Sequence, residues 1–331
     1  MGRLLARFNI DPYVLMIVGM VVLASILPAR GMAATVVGWI ADAAIVLLFF
    51  LHGARLSRQA VIDGARHWRL HLAVACITFL LFPLLGLAIR AIPGLDPALG
   101  TGMLFLTLLP STVQSSIAFT AVAQGNVAAA VCSASFSNLA GIVISPALTA
   151  LLITGKTGGF STDSVVTIAA QLLLPFLTGH LLRPWIGAWV ARQKRMLTVV
   201  DRGSILLVVY TAFGAAVVGG LWQRVSLTDL LLIGLLSGLL LTIVLFASHA
   251  TARLMGFNRA DSIVLQFCGS KKSLASGVPM AGVLFPAAQV GAIILPLMFF
   301  HQIQLMVCAV LARRYAAAAE REEGAEPASA T

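Results

Sequence analysis

Two adjacent lysines lie inside a long apolar stretch of the kind that forms membrane helices, where charged residues are rare. Lys271 and Lys272 occur ten or more residues inside an apolar stretch, whereas most other Lys and Arg residues lie in short connections between such stretches. A lysine at the centre of a membrane helix costs about 2.5–3.5 kcal/mol on insertion scales, so both side chains need polar partners or a polar cavity. Either ammonium could attract an anion or exchange a proton. Alternatively, a lysine could lock the structure by binding backbone carbonyls.

Polar side chains also interrupt a second apolar stretch, directly after Pro110. Their hydroxyl and amide groups, with the N–H groups of a helix that begins there, could bind a substrate or an ion. The candidates after Pro110 are Ser111, Thr112, Gln114, Ser115 and Ser116. The candidates beside the two lysines are Gln266, Ser270 and Ser273.

A third group of polar residues recurs at helical spacing further along the chain. Ser137, Asn138, Gly141 and Ser145 follow one another at steps of one, three and four residues, so most of them share one face of a helix. Such a face could line the same site, or it could serve close packing between helices. We include Ser137 and Asn138 among the candidate binding residues.

The composition is that of a polytopic membrane protein. Of the 331 residues, 60% are hydrophobic and 10% are charged, and the mean hydropathy is +0.99. Soluble proteins have about 45–50% apolar and about 25% charged residues. The net charge of +10 is concentrated in short connections, which is typical of orientation in a bilayer and not of nucleic-acid binding. We therefore expect contact with the lipid bilayer and no nucleic-acid partner.

Ten apolar stretches are long enough to be membrane helices. They are residues 12–27, 33–51, 70–92, 98–122, 127–152, 165–182, 203–221, 230–251, 260–285 and 287–312. With the N-terminus inside, the inner segments hold 16 Lys and Arg residues and the outer loops hold four. This bias predicts that both termini are cytoplasmic and that the protein spans the cell (inner) membrane several times.

Motifs for enzymatic or metal chemistry are not found in the sequence. The four cysteines lie singly in apolar stretches, and no Cys/His cluster has the spacing of a metal site. We expect free thiols, no catalytic residues, no bound metal and no cofactor apart from a coupling ion, H⁺ or Na⁺. The sequence indicates neither the oligomeric state nor the substrate.

The two polar breaks occur at matching places in the two halves of the chain. Leu109–Ser116 lies 159 residues before Cys268–Ala275, and each segment begins about ten residues into its apolar stretch. The two halves enter the membrane from opposite sides, so this repeat would be inverted, as in secondary transporters. We predict a first five-helix repeat at residues 1–155, a second, inverted one at 156–315 and a disordered cytoplasmic tail at 316–331.

Three parts of the chain resemble the bile acid:sodium symporter family. Pro110, Gln124-Gly125-Asn126-Val127 and Ile144-Ser145-Pro146 are similar to that family's fourth and fifth helices, where a Pro-led broken helix ends in a Gly-Asn-Val turn. Residues 47–57 and 267–277 resemble the second and ninth helices of its SBF-like, seventh-member branch. The resemblance covers about residues 8–315 and adds Asn126 to the candidate binding residues.

The resemblance implies an all-α membrane protein of ten helices in two inverted five-helix repeats. Broken helices four and nine would cross in a core domain made of helices three to five and eight to ten, beside a panel made of the other four. The implied activity is secondary active transport of a small organic anion by alternating access. The same branch also contains proteins linked to calcium handling, so a non-transporting membrane regulator of ion homeostasis is the alternative.

The chain departs from the resemblance at the sodium ligands. Members that couple to sodium use an acidic residue and a Gln in the ninth helix and a Ser-Asn pair in the fourth. Those positions fall here near Phe267 and Lys271, and on Ser116 and Ile117. Because a cation stands where anionic and neutral oxygen ligands are needed, we expect proton coupling or substrate exchange, with sodium coupling weakened.

Overall fold

The described parts of the chain are helical and contain no strand. The computed structural model of the protein describes residues 12–55, 67–153 and 172–325. The helices are α1 (Pro12–Ile26), α2 (Met32–Arg55), α3 (Trp68–Arg90), α4 (Pro97–Leu108), α5 (Gln114–Val122), α6 (Val127–Leu152), α7 (Leu174–Arg192), α8 (Lys194–Val218), α9 (Leu221–Arg224), α10 (Leu227–Leu254), α11 (Arg259–Gly269), α12 (Leu274–Leu284) and α13 (Ala287–Ala325). The middle of α3, Ile77–Leu81, is π-helical.

Six of these helices are long and apolar enough to cross a membrane, namely α2, α3, α6, α8, α10 and α13. Large apolar side chains also cover the outside of the molecule: Leu231 and Leu235 on α10, for example, are 67% and 69% exposed. An apolar surface of this kind is unfavourable in water and is expected where lipid surrounds the protein. The chain is therefore an integral, multi-pass membrane protein.

A described helix lies in each of the ten predicted stretches, and both predicted breaks are present. One break separates Leu108, the last residue of α4, from Gln114, the first residue of α5. The other separates Gly269 at the end of α11 from Leu274 at the start of α12. The beginning of the sixth stretch and the outer loop before it lie outside the described residues. The number of spans and their inverted arrangement stay predictions.

Two segments differ from the sequence-based expectation because helices continue past the apolar stretches. Residues 183–202, expected as an inner loop, form the end of α7 and the beginning of α8, with Gln193 between them. Helix α13 extends to Ala325, well into the tail that we expected to be disordered from residue 316. The extension after residue 315 is rich in Ala and Glu, and residues 183–202 include Arg, Lys, Gln, Met and Leu. All of these residue types have high helix propensity, which does not require an apolar environment.

Small residues bring the helices near the breaks into close contact. A Cβ atom added at Gly141 of α6 would lie 2.5 Å from Cβ of Pro110, and one added at Gly102 of α4 would lie 2.6 Å from the carbonyl oxygen of Ile293 in α13. One added at Gly277 of α12 would overlap the side chain of Leu109. The first break is therefore packed directly against α6 and α12.

Candidate functional site

The ammonium of Lys272 is surrounded by three backbone carbonyl oxygens. Nζ donates to the oxygens of Thr78 at 2.8 Å, Thr107 at 2.8 Å and Leu109 at 2.7 Å. The ring face of Phe82 lies on another side, with its centroid 4.1 Å from Nζ. Lys272 is 0% exposed. Because an ammonium has three N–H donors, each of its hydrogens has a carbonyl acceptor here.

Two prolines explain why these carbonyls are available. In the π-helical part of α3, the N–H of Phe82 bonds to the oxygen of Ile77, so the next N–H along would reach Thr78. The next residue is Pro83, which has no N–H, and the Thr78 oxygen has no backbone donor in that pattern.

The first break releases the other two carbonyls. In a continuous helix the N–H of Ser111 would reach Thr107. After Pro110 the backbone is not helical, and the Ser111 N–H instead donates to Oγ of Ser137 in α6 at 3.1 Å. The oxygens of Thr107 and Leu109 are thus left for Lys272, which lies in the second break.

The main chain at Lys272 is held by one side chain of α13. Oε1 of Gln304 accepts from the Lys272 N–H at 2.9 Å, and Nε2 donates to the Lys272 carbonyl at 3.0 Å. The ring Nδ1 of His301 lies 2.9 Å from the same Nε2. Gln304 is completely buried. Its two bonds replace, at Lys272, the helical hydrogen bonds that the second break interrupts.

Lys271 lies in a different environment from its neighbour. Its Nζ donates to the carbonyl oxygen of Ser115 at 2.9 Å. The ring centroids of Phe119 and Phe267 lie 3.9 and 5.3 Å from Nζ, in the range of cation–π contact. Lys271 is 0% exposed as well, but it has one described carbonyl partner where Lys272 has three.

The two breaks contact each other directly. The N–H of Ser273 donates to the carbonyl oxygen of Pro110 at 2.9 Å, and Oγ of Ser116 donates to the carbonyl oxygen of Phe267 at 3.1 Å. Each polar break therefore supplies partners for the other. These bonds give hydrogen-bond partners to backbone groups that would otherwise be unpaired at membrane depth, where each unpaired group is costly.

The hydroxyl groups of the first break mostly bond among themselves. Oγ1 of Thr112 lies 2.7 Å from Oγ of Ser115 and 3.2 Å from Oγ of Ser116, and Ser111 and Ser116 have their Oγ atoms 3.5 Å apart. Gln114, at the first turn of α5, is exposed. Among these candidates, Gln114 and the half-buried Ser115 are open to an incoming ligand in this conformation.

The polar face of α6 reaches both breaks. Ser137 binds the N–H of Ser111, as described above, and Oδ1 of Asn138 accepts from Oγ of Ser276 in α12 at 2.9 Å. Oγ of Ser273 in turn donates to Oγ of Ser276 and caps α12 by accepting from the Ser276 N–H, both at 3.1 Å. The face therefore joins the two breaks, and Asn138 is half-buried at its edge.

Three candidates bond elsewhere. Asn126 caps α6 and donates to Oδ1 of Asp261 at the start of α11, at 2.9 Å. The side chain of Gln266 donates to the carbonyl oxygen of Leu245 in α10, and Oγ of Ser270 donates to the carbonyl oxygen of Gln266. Ser115 contacts the Lys271 ammonium through its carbonyl, whereas Ser111, Ser116, Ser137 and Ser273 belong to the hydrogen-bond network that joins the two breaks. None of the described contacts joins Asn126, Gln266 or Ser270 to either ammonium.

Sequence reasoning allowed that a lysine could bind backbone carbonyls, but it did not identify the residues that hold the lysines. Thr78, Thr107 and Leu109 act through backbone oxygens, which no side-chain pattern reveals, although Pro83 and Pro110 were visible signals. Gln304 was visible as a polar residue in an apolar stretch, but nothing in the sequence paired it with Lys272. No group of three His, Cys, Asp or Glu side chains that could hold a metal occurs in the ranges 12–55, 67–153 and 172–325.

Comparison with known proteins identifies, along almost the whole chain, the SBF-like family that the sequence motifs resemble. The model of the SBF-like CPA transporter family matches residues 11–317. The chain is 53% identical over 323 residues to "Putative symporter YfeH" of Escherichia coli (strain K12), covering 97% of each protein. It is 26% identical over 273 residues to "Sodium/bile acid cotransporter 7" of Rattus norvegicus, covering 81% of this chain and 80% of that protein. It is also 26% identical over 277 residues to the protein of that name in Danio rerio, covering 81% of each.

Proposed function

The chain belongs to the SBF-like CPA transporter family, and on this premise we propose that it is a secondary active transporter of a small organic anion, working by alternating access. It is a transporter of the bile acid:sodium symporter type and not an enzyme. The substrate class and the coupling are our proposal. The observation that carries it is the meeting of two broken helices around two buried lysines.

We further propose ten membrane helices in two inverted repeats, residues 1–155 and 156–315. Two parallels between the halves support this. In each half, an N–H at the break donates to a polar side chain of the following long helix: Ser111 to Ser137, and Lys272 to Gln304. That following helix also has an internal proline in each half, Pro146 in α6 and Pro296 in α13.

The anion would lie beside the first turn of α5. Gln114 is exposed there, and Ser115 is half-buried and binds Lys271 through its carbonyl. The N–H groups of this turn and the positive charge of Lys271 would both favour a carboxylate or sulfonate. Asn138 and Ser276 would contribute polar contacts from the other side of the two breaks.

Coupling would use protons or substrate exchange, with Lys271 as the proton-carrying group. Its ammonium donates to one carbonyl oxygen and faces two aromatic rings. A neutral amine keeps two N–H groups, so this carbonyl could keep its donor after the proton is lost. Sodium would need several oxygen ligands in a place where a lysine now stands. The excess of Lys and Arg in the predicted inner segments would orient both termini to the cytoplasm of the cell (inner) membrane.

A ligand screen followed by flux measurement tests this function. Purified protein is heated with a panel of carboxylated and sulfonated metabolites, in sodium or potassium, at several pH values; any anion that raises the Tm is then tested for counterflow in proteoliposomes. We expect stabilisation that does not require sodium, is lost in Lys271→Met, and remains in a control variant, Lys194→Met, at the start of α8. Anion binding without counterflow would overturn the proposed anion transport and favour the alternative, a non-transporting membrane regulator of ion homeostasis. Stabilisation that requires sodium would overturn the proposed coupling.

A further inference from the structure

The oxygen cluster around Lys272 has the makeup of a cation site. Three carbonyl oxygens lie 2.7–2.8 Å from Nζ, and the ring face of Phe82 closes another side. We propose that Lys272 is a built-in cation: its ammonium fills a monovalent-cation site formed by the oxygens of Thr78, Thr107 and Leu109, and this site takes a free ammonium or potassium ion when the side chain is removed.

The oxygens are placed by the backbone and not by Lys272 itself. Pro83 deprives the Thr78 oxygen of its donor in the π-helical segment, and the break at Pro110 leaves the oxygens of Thr107 and Leu109 without the helical N–H. The N–H that would have served Thr107 is bound to Ser137. These features do not depend on the lysine side chain, so the three oxygens remain directed at one point after it is removed.

A second observation is an unpartnered hydroxyl on one of the three residues whose carbonyls bind Nζ. The hydroxyl Oγ1 of Thr78 is fully buried and has no hydrogen-bond partner among the described residues. An orphaned buried hydroxyl is costly unless another group can use it. Thr78 therefore has buried oxygen capacity beyond the carbonyl that binds Nζ of Lys272.

The ligand set favours a weakly hydrated monovalent cation. Neutral carbonyl oxygens, as in potassium-selective filters, replace the hydration shell of such ions, and an aromatic face adds attraction. Divalent cations in proteins rely on carboxylates, and the described contacts of the Lys272 side chain include none. Ammonium, methylammonium and potassium are therefore the expected occupants of the vacated site.

Filling this site with a covalently attached charge has a functional consequence. A tethered ammonium cannot dissociate, so the site would hold positive charge permanently and no alkali ion would bind or leave there during a transport cycle. The inference does not rest on the proposed anion transport. It concerns the stability of the crossing breaks and would hold even if the protein transported nothing.

Thermal unfolding of the full-length protein in detergent provides the test. Lys272→Ala vacates the site, Lys272→Met removes the charge but keeps most of the volume, and Lys271→Ala is the matched control. At constant ionic strength, we expect ammonium, methylammonium and potassium chloride to raise the Tm of Lys272→Ala by several degrees over choline chloride, in a saturable way. Wild type, Lys272→Met and Lys271→Ala should not distinguish these salts. An equal Tm for Lys272→Ala in all salts would overturn the proposal.

A measurement on the wild-type protein covers the case in which the Lys272 variants do not fold. The chain has only four lysines: Lys156, Lys194, Lys271 and Lys272. In protein labelled with ¹⁵N at lysine Nζ, an ammonium bonded to three buried carbonyls should give a signal with three slowly exchanging protons, and this signal should persist in Lys271→Ala. If no such protected ammonium is seen, the ammonium does not fill the oxygen cluster and the proposal is wrong.

Discussion

The side-chain amide of Gln304 binds both sides of the peptide backbone at Lys272. Oε1 accepts from the N–H at 2.9 Å, and Nε2 donates to the carbonyl at 3.0 Å. Through Gln304, helix α13 holds the second break at Lys272, whose side chain binds carbonyl oxygens at the first break. The two breaks and α13 form one hydrogen-bonded unit, in which the single side chain of Gln304 satisfies two main-chain groups.

Replacing Gln304 by Leu should strongly destabilise the protein. The substitution leaves the Lys272 N–H and carbonyl without partners in a fully buried place, at about 1–3 kcal/mol for each group. The measurement is thermal or denaturant unfolding in detergent. Gln289→Leu, near the start of α13, is the control and should cost much less. If both variants unfold together with wild type, the Gln304 contact contributes nothing to stability.

Gly53 and Gly179 fix a close contact between α2 and α7. A Cβ at Gly53 would overlap the carbonyl oxygen of Phe176, and a Cβ at Gly179 would overlap the carbonyl oxygen of Phe50. Because neither glycine has a side chain, the backbone of the other helix can approach it closely, as happens at small residues in packed membrane helices.

Gly53→Ala should therefore separate the two helices and lower stability, by about 1–3 kcal/mol as for other overpacked sites. Gly38→Ala in the same helix is the matched control, because nothing lies within 4 Å of its added Cβ. There the higher helix propensity of Ala should leave stability unchanged or slightly raised. Unfolding curves of both variants decide the matter: equal effects would show that the α2–α7 contact is not as close as described.

The sequence was sufficient to predict the membrane class, the helical stretches and both breaks, because each depends on local composition. Pro110 and the polar run after it mark the first break, and Lys271 and Lys272 mark the second. What it could not give is which acceptors the lysines reach. Those are backbone oxygens on α3, on α4, in the first break and on α5, more than 150 residues away in the chain, and a carbonyl has no sequence signature. For the same reason, the difference between the two lysines became visible only in the structure.

The ion pair between Arg55 and Asp201 should couple the end of α2 to α8. Nη1 lies 2.7 Å from Oδ2 and Nη2 lies 3.2 Å from Oδ1, and the side chains are 30% and 22% exposed. A double-mutant cycle with Arg55→Gln and Asp201→Asn should give a coupling of about 1 kcal/mol, since the pair is two-pronged but partly solvated. The coupling should fall with added salt. Additive single effects would mean that the contact does not stabilise the protein.

Pro83 should determine how much the protein depends on Lys272. Replacing Pro83 by Ala restores an N–H that can reach the Thr78 oxygen in the π-helical pattern, so this oxygen would no longer need the lysine. We therefore expect Lys272→Met to cost about 1 kcal/mol less in the Pro83→Ala background than in wild type, the size of one hydrogen bond. Unfolding of the four proteins in the cycle measures this difference. Pro279→Ala in α12 serves as the control background, because the Pro279 position supplies no oxygen to Lys272. If Lys272→Met costs the same in all three backgrounds, the missing N–H at Pro83 is not what makes the Thr78 oxygen available to the ammonium.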